Sequence, residues 1–337
     1  MTAASLTPNN PQLGKKPYVL YADAQLFPPA PEDFQAVADA GYQLIPVEGH
    51  RPADFAPYAA DAVALLAWGG RYDANIFDAL PQLRILARCG AGYDNIDLAA
   101  AEQRGIALTY VPGAADHEVA EHTVALLLGA ARKITASDRA VRAGGWPSSS
   151  ALAPMIRVHG STVGLVGFGR IARAVATKSQ AFGMQVLAVD PFVDAAVFQH
   201  AGVTRVDGLP ELLSQADFVS LHVPGGAGHH ALIGAAELAA MRPTAVLINT
   251  ARGSLVDTDA LLAALRAGEI AGAAMDVLDP EPVPSSHPLL ALDNVVITPH
   301  SAAFSGEALA TLRSRSLAEV FEVLTGRPPI TPIPRKD

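Results

Sequence analysis

A single cysteine, Cys89, stands in 337 residues, so no internal disulfide can brace the fold. That usage suits a reducing compartment, the cytoplasm by default. Basic residues never form a block longer than a pair, and 24 of them against 33 acidic ones leave a formal charge of −9. A surface that tracks the phosphates of a nucleic acid is not expected from such a chain. No apolar run approaches the roughly 20 residues of a membrane span. The N-terminal MTAASLTPNNPQLGKKP places Pro and Asn where a signal peptide needs an apolar core, so residues 1–16 read as a loose, soluble tail.

Half of the residues are hydrophobic, enough for the cores of two ordinary α/β domains. From Tyr18 the chain alternates short apolar runs (VLYA, YQLIPV, AVALLAW, LRILARCG, IALTYV) with helical patterns such as PEDFQAVADAG and DLAAAEQRG. That alternation predicts βαβ units and a parallel sheet. Residues 116–134, DHEVAEHTVALLLGAARKI, predict one long helix with Asp116 as its N-cap. After the Gly/Pro/Ser-rich AGGWPSSSALAP a second series begins: STVGLVGFG, MQVLAVD, DFVSLHV, AVLINT, GAAMDV and NVVITPH. These six runs predict a doubly wound sheet. Residues 305–326 read as a closing amphipathic helix stopped by Gly326.

Gly167-Phe168-Gly169-Arg170-Ile171-Ala172 lies between a strand pattern and a helix pattern, the context that gives a glycine-rich turn its meaning. Backbone N–H groups there can approach a pyrophosphate, and the helix N-terminus favours its charge. Asp190 ends the next strand, 21 residues after Gly169, where a carboxylate can accept from an adenine-ribose hydroxyl. NAD (NADH) is the expected cofactor. NADP is the runner-up, because an acid at that tip repels a 2′-phosphate and neither Pro191 nor Phe192 can receive one.

Ligands of open α/β sheets gather beyond the carboxyl ends of the strands. Arg252 after AVLINTA, Glu281 in DVLDPEP and His300 closing NVVITPH all fall at such ends. Singly each has a duller reading: a solvated loop arginine, a turn carboxylate among prolines, a strand-end histidine. Together, behind a nucleotide turn, they suit hydride transfer. A guanidinium can hold a carboxylate or carbonyl by two parallel bonds, and a histidine can move the hydroxyl proton while a carboxylate orients its ring.

The segments ARCGAGYDNID (87–97), VPGAADHEVAEHT (111–123), VGLVGFGRIARAVA (163–176), LINTARGSLVD (247–257), AGAAMDVLDPEP (271–282) and ITPHSAAF (297–304) resemble the D-isomer-specific 2-hydroxyacid dehydrogenase family. The family includes glyoxylate/hydroxypyruvate reductases and phosphoglycerate dehydrogenases, with a corepressor branch. The resemblance implies an NAD-dependent enzyme acting on a small 2-oxo or 2-hydroxy acid, with Arg252, Glu281 and His300 catalytic. It implies cofactor contacts from Gly167, Gly169, Arg170, Ile171, Asp190, Val223, Thr250, Ala251 and Asp276, the last toward the nicotinamide carboxamide. Substrate contacts would come from Gly70, Arg71, Arg252 and the backbone of Gly90-Ala91-Gly92. The implied fold is a Rossmann-type nucleotide domain, residues 111–301, inserted into a discontinuous flavodoxin-like substrate domain, residues 17–110 and 302–337. The active site would lie in the cleft between them. A homodimer is also implied, joined through the nucleotide domain and its leading helix, with the arm around Trp146.

Two features depart from simple expectation. The loop GGAGHHAL carries His229 and His230, read as exposed residues. HEVAEH superficially suggests a zinc motif, but histidines five apart are separated by about 140° around a helix, so no metal site is expected. The alternative to an enzyme is an NADH-sensing binding protein of the corepressor type with little turnover; where that branch commonly has tryptophan, Ala303 stands here.

Overall fold

Val19, Leu20 and Tyr21 are wholly buried, as are Ala64 to Ala67, which is what a parallel sheet covered on both faces demands of its strands. The computed structural model describes residues 16–152, 154–225 and 231–334, so the N-terminal tail up to residue 15 and His229 and His230 lie outside the described residues. The chain divides into two compact units, one formed by residues up to Ala114 together with those from Leu309, the other by Ala115–Ala308.

The first unit holds β1 (Tyr18–Tyr21), β2 (Gln43–Pro46), β3 (Ala62–Ala67), β4 (Ile85–Arg88) and β5 (Ala107–Thr109). They pair in the order β2-β1-β3-β4-β5, all parallel, the flavodoxin-like arrangement with its switch point between β1 and β3. One face packs Leu20, Leu65 and Leu86 against Phe55, Ile76 and Phe77. The other packs Val19, Tyr21 and Ile85 against Leu312, Leu317 and Val320 of the helix Gly306–Leu324. Buried Glu319 of that helix accepts the N–H groups of Ile330 and Thr331 at 2.8 and 2.7 Å, which ties the C-terminal segment beside β5 through the Thr109–Pro332 bridge.

The second unit holds β6 (Thr162–Val166), β7 (Gln185–Val189), β8 (Thr204–Arg205), β9 (Phe218–Leu221), β10 (Val246–Asn249), β11 (Gly272–Met275) and β12 (Val295–Ile297). Their order is β12-β11-β10-β9-β6-β7-β8, again all parallel. Counted within the unit this is 3-2-1-4-5-6 with a seventh strand added, the doubly wound dinucleotide order. Apolar clusters cover both faces. Seven strands stand where six were expected, and the one not foreseen is β8, two exposed residues long, too short and too polar to leave a periodic signal.

The long helix expected over residues 116–134 is instead two. Asp116–Ala131 ends, Lys133 takes a left-handed φ of 50°, and Ile134–Arg142 follows. Asp116 is not the N-cap. Ala115 holds that position, and the Asp116 carboxylate takes the Arg170 guanidinium at 2.6 Å. No helix among the described residues is long and apolar enough to cross a membrane.

Candidate active site

Between β6 and the helix Arg170–Ala181 the chain turns through Gly167 at φ 90°. A Cβ there would stand 2.7 Å from the His222 carbonyl oxygen, so no other residue fits without moving β9's end. Phe168 is buried and stacks on Phe198 at 4.5 Å, anchoring the turn from below. Gly169 is the N-cap residue, and a Cβ built on it would meet nothing within 4 Å. The open backbone at the head of a twelve-residue helix suits a pyrophosphate. Asp190, at the tip of β7, accepts Phe168 N–H at 2.8 Å with one oxygen and Phe192 N–H at 2.9 Å with the other. A carboxylate has about four acceptor positions, so capacity remains for ribose hydroxyls. Val223 lies against the same glycine, and Ile171 packs at the margin of the core. His222 lies beneath this turn, where burial pushes its imidazole down to about 4 and Ser220 Oγ contacts Nε2 at 2.9 Å.

Beyond β10 the chain makes a tight turn organised by Asn249, a wholly buried residue. Its Oδ1 accepts Ala251 N–H at 3.0 Å and its Nδ2 donates to the Arg252 carbonyl at 2.7 Å. The guanidinium Nη1 donates to the Ala251 carbonyl at 2.7 Å. Thr250 Oγ1 meets Thr123 Oγ1 of the helix Asp116–Ala131 at 2.8 Å. Glu281, after β11, accepts Leu278 N–H at 2.8 Å through Oε1 and meets His300 Nδ1 at 2.7 Å through Oε2. His300 stands just past β12 at φ 53°, a left-handed backbone that few residues other than glycine adopt, histidine among the more tolerant of them. Glu281 and His300 are therefore brought together, and Arg252 stands at the end of the strand two places along the sheet.

Asp276, also past β11, is buried. It accepts Ser301 N–H and Ala302 N–H, each at 2.9 Å, and the Thr298 hydroxyl at 2.5 Å. In the first unit the substrate-contact candidates follow β3 and β4. Arg88 binds the loop Gly90-Ala91-Gly92 from beneath, donating to the carbonyls of Gly92 at 2.9 Å and Cys89 at 3.2 Å. Asn95 Nδ2 donates to the Gly70 carbonyl at 2.5 Å, and Arg71 is exposed. His50 Nδ1 meets the buried Asp23 at 2.8 Å, a pair beside Gly69 and Gly70 that no sequence motif announces. Among the described residues no group of three or more His, Cys, Asp or Glu side chains is placed to hold a metal ion.

A family model described as D-isomer specific 2-hydroxyacid dehydrogenase, NAD binding domain, matches residues 124–302, more than half of the chain. The chain belongs to the D-isomer-specific 2-hydroxyacid dehydrogenase family. The glyoxylate reductase of Korarchaeum cryptofilum is 44% identical over 75% of this chain and 75% of its own length. The D-3-phosphoglycerate dehydrogenase of Archaeoglobus fulgidus is 40% identical over 77% of this chain, which spans about half (48%) of that relative. The NADPH-dependent glyoxylate/hydroxypyruvate reductase of Sinorhizobium meliloti, solved with citrate, shares the fold with a TM-score of 0.80 and 29% identity, covering 94% of this chain and 98% of that one. This dehydrogenase is an oxidoreductase of 2-hydroxy and 2-oxo acids that uses a nicotinamide cofactor, and the binding-protein alternative is not favoured.

Sequence reasoning passed over Asn249, Thr298 and His122. Asn249 reads as the last polar residue of a strand, and Thr298 as a residue of a strand end. His122 meets Thr298 Oγ1 at 2.9 Å across 176 positions of sequence, a distance no local pattern spans. The local signal was a glutamate and a histidine four apart, Glu118 and His122, in the polar first half of the helix Asp116–Ala131.

Proposed function

We propose that this dehydrogenase reduces a small 2-oxo acid with NADH, with Arg252 holding the substrate carboxylate and carbonyl, His300 moving the proton and Glu281 holding His300. The observation that carries the reading is the 2.7 Å contact between His300 Nδ1 and Glu281, itself fixed by Leu278 N–H. Because Nδ1 is committed to the carboxylate, Nε2 is the ring nitrogen left to face a substrate. In reduction Nε2–H donates to the carbonyl oxygen, and in oxidation neutral Nε2 receives the hydroxyl proton. Nicotinamide supplies or accepts the hydride when bound.

NADH is favoured over NADPH because Asp190 sets a negative charge where a 2′-phosphate would lie. A glyoxylate- or hydroxypyruvate-like acid is the favoured substrate, since a glyoxylate reductase is among the relatives of comparable length. Gly70, Arg71 and the Gly90-Ala91-Gly92 backbone would contact it, and Arg170, Ile171, Val223, Thr250, Ala251 and Asp276 would contact the cofactor. A homodimer in the cytoplasm fits a chain whose one thiol is buried and whose residues 134–155 expose several large apolar side chains.

The test is a screen of glyoxylate, hydroxypyruvate, phosphohydroxypyruvate and branched 2-oxo acids with NADH and NADPH, comparing kcat/KM. Turnover of at least one acid with NADH preferred is expected. Protein that binds NADH yet reduces none of them would return the binding-protein reading.

A further inference from the structure

The HEVAEH segment places Glu118 and His122 four apart, so both look out from one face of the helix Asp116–Ala131. Glu118 accepts the Ser305 hydroxyl at 2.8 Å, and His122 meets Thr298 at 2.9 Å. One helix face thus grips both ends of the stretch that carries His300.

The direction of the bonds at Thr298 follows from counting protons. Its Oγ1 lies 2.9 Å from His122 Nε2 and 2.5 Å from Asp276 Oδ1. A hydroxyl has one proton and an Asp carboxylate only accepts, so the Thr298 proton goes to Asp276. Oγ1 must then accept from His122, which requires the proton of that ring to be on Nε2. The chain runs from His122 Nε2–H to Thr298 and from Thr298 O–H to Asp276, with His122 Nε2 itself 3.4 Å from Asp276 Oδ1. Side-chain exposure of 24% for His122 and 1% for Asp276 leaves water little room to replace these bonds.

Asp276 also holds the turn beyond β12. Its carboxylate takes Ser301 and Ala302 N–H, and its carbonyl oxygen takes His300 N–H at 2.8 Å. These bonds hold His300 at its positive φ, a conformation that persists only where surrounding contacts over-determine it. We propose that His122 is a positioning residue for hydride transfer: its Nε2–H fixes the Thr298 hydroxyl on Asp276, and Asp276 fixes the left-handed backbone that presents the His300 ring to the substrate.

This inference rests on the reading of His300 as the acid/base, and the two can fail separately. In the full chain, His122→Gln places an amide N–H near the position of Nε2, whereas His122→Leu fills the space without a donor. For whichever 2-oxo acid the wild type reduces, kcat is expected to fall by about tenfold to a hundredfold in His122→Leu, the scale of misplacing a reacting group. It should recover largely in His122→Gln, while NADH affinity, read by fluorescence, moves far less than kcat in either. Equal loss in both variants, or none in either, overturns the proposal. Should His122→Leu fail to fold, ring-nitrogen NMR of the wild type decides: Nε2 protonated is expected, and a neutral ring with its proton on Nδ1 overturns it. A wild type that reduces no 2-oxo acid while His122 shows Nε2–H would fault the proposed function and leave the hydrogen-bond chain standing.

Discussion

A guanidinium proposed to grip a small acid needs its own backbone held, and buried Asn249 holds that of Arg252 with both ends of its amide, on Ala251 N–H and on the Arg252 carbonyl. The grip is therefore set by geometry as much as by charge. Arg252→Lys keeps the charge and loses the planar two-bond fork, so kcat/KM is expected to drop by about 2–5 kcal/mol of transition-state binding, the range for a truncated charged contact, with NADH still bound. Near-full activity on every accepted acid would reduce Arg252 to a loop residue. At Asp190 two duties coincide, the tether on Phe168 and Phe192 N–H and the proposed ribose contact. Asp190→Ser should weaken NADH binding by about 1.5–3 kcal/mol, the worth of a hydrogen bond to a charged group, and narrow the preference over NADPH. Wild type that prefers NADPH at equal concentration contradicts the cofactor reading. The position of His300 was legible because a polar residue closing an apolar run is conspicuous, and that of Glu281 because its loop DVLDPEP directly follows such a run. His122, Thr298 and Asn249 were not, because each looks ordinary beside its neighbours and gains meaning only from partners the fold delivers.

Strands were read more easily than the breaks between elements. Apolar runs such as VLIN and GLV stand out against polar flanks, whereas β8 is two exposed residues and the helix break at Lys133 depends on a left-handed backbone that an Ala-Arg-Lys-Ile string does not signal. The end of β9 carries a pH effect that follows from its packing. Burial holds His222 down at about 4 from an ordinary 6.5, so the unfolded chain binds its proton first as pH falls. The sign is then fixed: the contribution is fully present above about pH 6.5 and is lost progressively as pH falls toward about 4. At 1.36 kcal/mol per unit the loss is at most about 3 kcal/mol, reduced by the partial solvent access this residue keeps. Denaturant unfolding across that window should show a shallower pH dependence in His222→Gln than in the wild type. Parallel curves for the two proteins would mean that another group carries the acid sensitivity.

At the scale of the whole chain the two alternating series were enough to specify two parallel sheets, since only covered sheets need such continuous apolar strands. The strand orders followed from folding rather than from the runs themselves, because periodicity says which face is buried and not which neighbour lies beside it. What the runs also left open is the fate of apolar surface outside both cores. Ile134 and Val141 on the second short helix, then Trp146 at 89% exposure and Met155, are displayed within about twenty residues of one another in sequence, more than single scattered side chains would explain. A second copy of this dehydrogenase is the occupant we expect, since symmetric dimers are the commonest soluble assemblies and tryptophan is a favoured anchor at interfaces. Trp146→Glu places a charge in that surface without touching either core, so it should leave thermal stability of the monomer fold intact while shifting the mass in sedimentation from two chains to one. A wild type that sediments as one chain at micromolar concentration, or a variant that keeps the mass of two, would remove residues 134–155 from the interface and leave their exposed side chains without a partner of this kind.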